Sequence, residues 1–261
     1  MSDAALQSGE RRRQKILDLL LERGSVTVDE LAADFRISRM TVHRDLDQLA
    51  MDQLVRKVRG GATIESSTLM ESDFRWRTKV ALEEKAAIAR AALEFVEPGQ
   101  SVIIDAGTTV GALADLLVER RPLTVITNNL AAIEALALVD RIRLITLGGQ
   151  YSRRFHGFFG MATEEMLAGL RADVAFLGTS SVSGTLAFHQ DQDIVKTKRG
   201  MIASANRSYL LIDRSKFGQT ALHVLTDLSR FAAVVTGAGG LPDEATRPLA
   251  EANIPLVEAQ G

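Results

Sequence analysis

The chain contains no cysteine, so disulfides and thiolate metal sites are both excluded. Its four histidines, His43, His156, His189 and His223, fall at no metal-ligand spacing. Neither a metal nor a cofactor is expected. No apolar run approaches the roughly 18 residues that suggest a membrane span, and the N-terminus lacks the apolar core of a signal peptide. A cytoplasmic protein without membrane contact is expected. An excess of one charge is also missing. The formal net charge is −2, so any nucleic-acid contact has to come from a local patch. No solenoid-type repeat is present.

What is present is apolar material for a real core. Hydrophobic residues make up 46% of the chain and charged residues 25%, the balance of a soluble globular protein. The length of 261 residues suits two domains of ordinary size.

The first of these begins with a basic run, Arg11-Arg12-Arg13. Ile16, Leu19 and Leu20 then follow at helical spacing, and Gly24-Ser25 closes that helix. Thr27-Val28-Asp29-Glu30 has capping-box form, with Thr27 as the cap and Glu30 reaching back. Leu31, Ala32 and Phe35 form the inner face of a short second helix. Ser38 caps a third helix running to about Ala50, in which Val42, Leu46 and Leu49 are the buried stripe. Arg39, Met40, His43, Arg44 and Asp47 are left on its outer faces. Two short helices joined by a tight turn, the second with outward Arg and His near its start, place that start against base edges in the major groove. Beyond it, Val55 to Ile64 reads as two extended segments around Gly60-Gly61. Its Arg56, Lys57 and Arg59 suit a hairpin wing on the phosphate backbone. From Arg36 to Gly61 six cations face three carboxylates, a local positive face within a chain of negative total charge.

Arg12, Ile16 and Leu20, followed by Ser38-Arg39-Met40-Thr41-Val42-His43-Arg44-Asp45-Leu46, resemble the signature of the DeoR family of bacterial transcriptional regulators. The resemblance implies a winged helix-turn-helix that binds double-stranded operator DNA. Ser38, Arg39, Thr41, His43 and Arg44 are then the DNA-facing set, joined by Arg56, Lys57 and Arg59 of the wing. Asp45 reads as structural, paired with a nearby arginine.

The domain boundaries expected are 8–64 for the DNA-binding domain, 65–80 for a linker and 81–261 for a second domain. Phe74 and Trp76 interrupt the polar linker as aromatic packing anchors. From Glu83 onward helices alternate with apolar strands. Strands are expected at 101–105, 123–127, 141–147, 172–177, 208–212, 231–235 and 255–257. Helices are expected near 83–93, 110–119, 130–138, 161–168, 191–205 and 243–252. This pattern predicts an α/β domain with a mostly parallel sheet covered on both faces.

Ligands of such sheets bind at the carboxyl ends of strands. The ends here are Asp105-Ala106-Gly107-Thr108-Thr109, Thr127-Asn128-Asn129, Gly148-Gly149, Gly178-Thr179-Ser180-Ser181 and Asp213-Arg214-Ser215-Lys216. Amides, hydroxyls and the start of a helix at Thr108 and Thr109 suit a phosphate. Lys216 supplies a cation. Asp105 and the asparagines suit sugar hydroxyls. The same residues also serve as plain turn chemistry, with the threonines capping the helix.

The Asp-x-Gly-Thr-Thr, Thr-Asn, Gly-Gly, Asp173–Gly178, Val195-Lys196 and Asp-x-Ser-Lys-Phe-Gly segments resemble, in order, the C-terminal sensor domain of the same family. The resemblance implies a fold related to ribose-5-phosphate isomerases and CoA transferases, and a phosphorylated sugar or polyol effector. The effector set is then Asp105, Gly107, Thr108, Thr109, Thr127, Asn128, Gly148, Gly149, Gly178, Lys196 and Lys216. A regulator, most simply a repressor released by its effector and acting as a dimer or tetramer, is the first reading. The second is a sugar-phosphate isomerase with an accessory DNA-binding domain, with Asp105, Asp193 or His189 as base. Serines stand in the loop after Gly178, where related isomerases look to carry acidic residues. This favours the non-enzymatic reading.

Overall fold

A computed structural model describes residues 3–51, 55–63 and 74–260. It divides into two compact units, Met1–Arg77 and Thr78–Gly261. Most of the proposed linker, and the side chain of Trp76, lie outside the described residues.

The first unit holds α1 (Asp3–Arg23), β1 (Ser25–Thr27), α2 (Val28–Phe35), α3 (Arg39–Met51), β2 (Arg56–Val58), β3 (Gly61–Thr63) and the short α4 (Phe74–Arg77). Thr27 and Glu30 form the expected capping box: Glu30 N donates to the Thr27 hydroxyl and Thr27 N to the Glu30 carboxylate. Arg36 ends α2 in the left-handed region at φ 52°. The wing has three strands rather than two, because β1 pairs with β3. Three residues are too few to show a period, so β1 left no signal in the sequence. The approach is close enough that a β-carbon on Gly61 would overlap Val26 O. Ile16, Leu20, Leu31, Val42 and Leu46 are fully buried and make the core of the three helices.

The second unit opens with α5 (Leu82–Leu93) and runs through β4 (Ser101–Ile104), α6 (Thr108–Ala114), β5 (Leu123–Thr127), α7 (Leu130–Leu136) and β6 (Ile142–Thr146). A hairpin, β7 (Gln150–Ser152) and β8 (Gly157–Phe159), precedes α8 (Met161–Ala168) and β9 (Ala172–Leu177). Then come β10 (Ser181–Ser183), β11 (Leu186–His189), α9 (Gln192–Ala203), β12 (Ala205–Leu211), β13 (His223–Asp227), β14 (Ala233–Gly237), α10 (Asp243–Glu251) and β15 (Leu256–Ala259).

Seven strands form one sheet in the order β15-β14-β12-β9-β4-β5-β6, every neighbouring pair parallel. Side chains alternate between its faces. Val102 and Ile104 enter the core under α5, α6 and α7, while Ile103 enters the core under α8, α9 and α10. The same alternation places Phe176 in the first core and Ala175 and Leu177 in the second.

The strands expected from the sequence are those of the main sheet, with edges shifted by up to three residues at one end. The helix expected over 110–119 stops at Ala114, and a tighter 3₁₀ turn covers Leu117–Arg120. The β7–β8 hairpin and the antiparallel sheet β10-β11-β13 were not anticipated. Their strands are three to five residues long and several are rich in serine or glycine, below what alternation reveals.

Candidate functional site

The first candidate surface is the start of α3. Ser38 caps it: its hydroxyl accepts Thr41 N at 3.2 Å and lies 3.0 Å from the Thr41 hydroxyl. Ser38, Arg39, His43 and Arg44 are exposed and Thr41 is half-buried. Arg39 is paired with Asp29 at 2.6 Å, both side chains about two-thirds exposed or more. A surface pair of that kind contributes little and yields readily to a phosphate. Asp45 is buried and takes Arg12 Nε at 2.6 Å, as the sequence suggested. That bond, above all, raises the Arg12 guanidinium above its ordinary value. The pair ties α1 to α3. Arg56, Lys57 and Arg59 are exposed on the wing, and Lys57 bonds Asp47 of α3 at 2.5 Å.

The second candidate lies in the other unit. Strand β4 is followed by β5 on one side, whereas β9 leads to β12 on the other. The order of strands therefore reverses between β4 and β9, the place where open parallel sheets hold ligands. Asp105 ends β4 and Gly178 ends β9. Asp105 is fully buried, and its Oδ2 accepts Gly178 N at 3.0 Å. Lys198 Nζ donates to the same Oδ2 and to Gly178 O at 2.9 Å, and is buried with it. Asp105 Oδ1 is buried and accepts no hydrogen bond within the described residues, and the same holds for Asn128 Oδ1.

The neighbouring turns are built by the other strand ends. Thr127 Oγ1 donates to Ile104 O at 2.6 Å and accepts Asn129 N at 3.0 Å. Thr127 thus fixes the turn that carries the two asparagines. Asn129 caps α7 through Ala132 N and donates to Asp105 O at 3.2 Å. No side chain caps α6, whose N-cap is Gly107. The threonines are therefore not caps: Thr108, half-buried, and Thr109, buried, are its first two residues.

A small roof covers this end of the sheet. Asn128 and Phe158 exchange two bonds of 2.9 Å through Asn128 O and Nδ2. Phe155 and Phe159 of the hairpin pack with Ala106 and Ile194. A β-carbon on Gly157 would stand 2.6 Å from Ala106 Cβ and 2.8 Å from Asn128 O.

The remaining residues named from the sequence are placed differently. Gly148 and Gly149 are exposed and form the turn into β7, where Gly148 O accepts the Thr163 hydroxyl. Lys216 is half-buried in a 3₁₀ turn capped by Asp213. Lys196 is half exposed and pairs with Asp193 at 3.4 Å; the lysine against Asp105 is Lys198. A signal for it existed. In α9 the buried residues are Ile194, Val195, Thr197, Lys198, Met201 and Ile202, so Lys198 sits on the inner stripe and Lys196 does not. Of the bases considered for an isomerase, Asp193 is exposed, and buried His189 accepts Asp191 N at 3.2 Å.

Among the described residues no group of acidic and histidine side chains could hold a metal, and no helix is long and apolar enough to cross a membrane.

Comparison with known proteins finds a matching domain in each part of the chain. Residues 12–68 match the DeoR-like helix-turn-helix domain and residues 80–238 the DeoR C terminal sensor domain. The glycerol-3-phosphate regulon repressor of Escherichia coli is 33% identical, covering 87% of this chain and 90% of its own length. The transcriptional regulator IolR of Bacillus subtilis is 34% identical, covering 90% and 94%. Among solved structures, ribose 5-phosphate isomerase A from Methanocaldococcus jannaschii is 20% identical, covers 51% of this chain and 53% of its own, and has a TM-score of 0.37. With a helix-turn-helix domain and a sensor domain matched along one chain, this protein belongs to the DeoR family of transcriptional regulators.

Proposed function

We propose that this regulator represses an operon of carbohydrate or polyol catabolism. It binds operator DNA in the cytoplasm as a dimer or tetramer and leaves it when a phosphorylated sugar or polyol binds the second unit. The observation that carries the reading is a pair of buried acceptors with no partner among the described residues, Asp105 Oδ1 at the strand-order reversal and Asn128 Oδ1 at the neighbouring end of β5. An unpaired buried acceptor is costly, and a ligand hydroxyl satisfies it. Lys198 and Gly178 N both donate to Asp105 Oδ2, which leaves Oδ1 as the acceptor for a ligand hydroxyl. The phosphate is held by the start of α6 at Gly107, Thr108 and Thr109, with Lys216 as counter-charge. Relatives that include a glycerol-3-phosphate regulon repressor support this effector class.

A single winged helix covers too little DNA to be selective, which favours an oligomer on repeated half-sites. Release requires that the effector bind one of two conformations better than the other. Turnover is not part of the proposal. Asp105 Oδ2 is already engaged by Lys198 and Gly178, and the loop after Gly178 offers hydroxyls rather than carboxylates.

The test uses a duplex selected by the full chain from a random pool, with fluorescence anisotropy read against sugar and polyol phosphates. Release by a phosphorylated compound and none by its unphosphorylated parent is expected. Interconversion of aldose and ketose phosphates at enzyme-like rates would contradict the regulator-only reading.

A further inference from the structure

Helix α5 is the first long element after the chain enters the second unit at Thr78. It packs against α6, which begins at Thr108, and against β12 and β14. Its third residue is Glu84. At that position a glutamate commonly reaches back to cap its own helix. Here Glu84 Oε1 instead accepts Arg214 N at 2.9 Å and faces Arg214 Nε at 3.4 Å. Arg214 is the first residue of the 3₁₀ turn that carries Lys216.

Space for this bridge is made by two glycines at the end of β14. A β-carbon on Gly237 would overlap the Glu84 side chain. One on Gly239, at φ +106°, would stand 2.5 Å from the Arg214 guanidinium. Glu84 is 19% exposed and Arg214 44%, so the charge pair is partly solvated and the bond from Arg214 N is the geometric link between the two elements. One helix thus touches both the α6 side and the Lys216 side of the proposed phosphate position.

We propose that Glu84 is the positioning residue that couples the Lys216 turn to α5, and through α5 to the segment leading into the DNA-reading unit. The inference rests on the effector reading above. When a phosphate draws Lys216 toward the start of α6, the Arg214 backbone moves with it, and Glu84 passes that movement to α5.

The test uses the full-length chain, a duplex selected from a random pool, and glycerol 3-phosphate, ribose 5-phosphate and fructose 1-phosphate as probes. Three quantities are read: affinity for DNA alone, affinity for the compound alone, and the fold-change in DNA affinity that the compound causes. In the wild type that fold-change is expected at about tenfold or more, the ordinary size of coupling between sites. Glu84→Ala is expected to leave both separate affinities within about threefold while cutting the fold-change to about twofold or less. Glu84→Gln keeps an acceptor oxygen for Arg214 N and is expected to retain most of the coupling.

Equal release of wild type and Glu84→Ala would overturn the coupling role and leave the effector site standing. A wild type released by none of the three compounds would overturn the effector reading, and the coupling with it. Loss of DNA binding or compound binding in both variants would make Glu84 part of the fold and would equally overturn the proposal.

Discussion

Lys198 and Asp105 form a buried ion pair between α9 and the end of β4, closed by Gly178, which donates to the carboxylate and accepts from the ammonium. Removing one partner leaves the other charged without compensation. Lys198→Met is therefore expected to lower stability by about 3–5 kcal/mol. The double variant Lys198→Met with Asp105→Asn should recover part of that loss, because the sites are in contact and their effects do not add. Urea unfolding of wild type, Lys198→Met, Asp105→Asn and the double variant measures both. Additive losses would show that the pair contributes little.

On the DNA side, Arg44 and Lys57 are expected to differ in kind. Arg44→Ala should cost about 1–3 kcal/mol of operator affinity and relax the preference at one base position. Lys57→Ala should weaken all duplexes alike and flatten the salt dependence by about one unit of slope. Titrations at several salt concentrations separate the two. An unchanged affinity for Arg44→Ala removes that residue from the contact set.

The hairpin roof is tested through Gly157. Any side chain there meets Ala106 Cβ and Asn128 O, so Gly157→Val should displace β8 from the Asn128 turn. The expected loss is about 1–3 kcal/mol, the usual result of overpacking. Effector affinity should fall with it, while DNA binding without effector is retained. Calorimetric melting and ligand titration of the same protein read the two effects.

Asp173 predicts a pH dependence. Ser101 donates both its amide and its hydroxyl to this carboxylate at 2.7 Å. The amide bond first, and then the hydroxyl bond, hold the carboxyl below its ordinary value of 3.8, against a smaller opposing effect of burial. A carboxyl depressed in the folded state stabilises above its unfolded value and loses that contribution as pH falls through the folded one. Wild type should exceed Asp173→Asn by about 1 kcal/mol near pH 7. The gap should begin to close below about pH 4. A gap that stays constant on acidification would mean that the charge is not the cause.

How much of this was legible in the sequence follows from the range of the interactions. The capping box at Thr27, the stripe of Val42, Leu46 and Leu49, and the seven apolar strands are local patterns of period 3.6 or 2, and all could be read. The partnership of Asp45 with an arginine came with the family resemblance rather than from a local period. The strand order was not. Nothing near Asp105 announces that Gly178, 73 residues away, becomes its neighbour. Lys198 is legible in principle from the inner stripe of α9, which excludes Lys196. The Glu84–Arg214 bridge spans 130 residues and depends on room left by Gly237, which no local pattern encodes.

The most direct measurement is calorimetric titration of the full chain with a phosphorylated polyol and with its unphosphorylated parent, each against wild type and Thr108→Ala with Thr109→Ala. Binding of the phosphorylated compound to wild type, and its loss by at least about tenfold in the double variant, is the expected result. Undiminished binding in the double variant, or equal affinity for the parent polyol, would contradict a phosphate held at the start of α6.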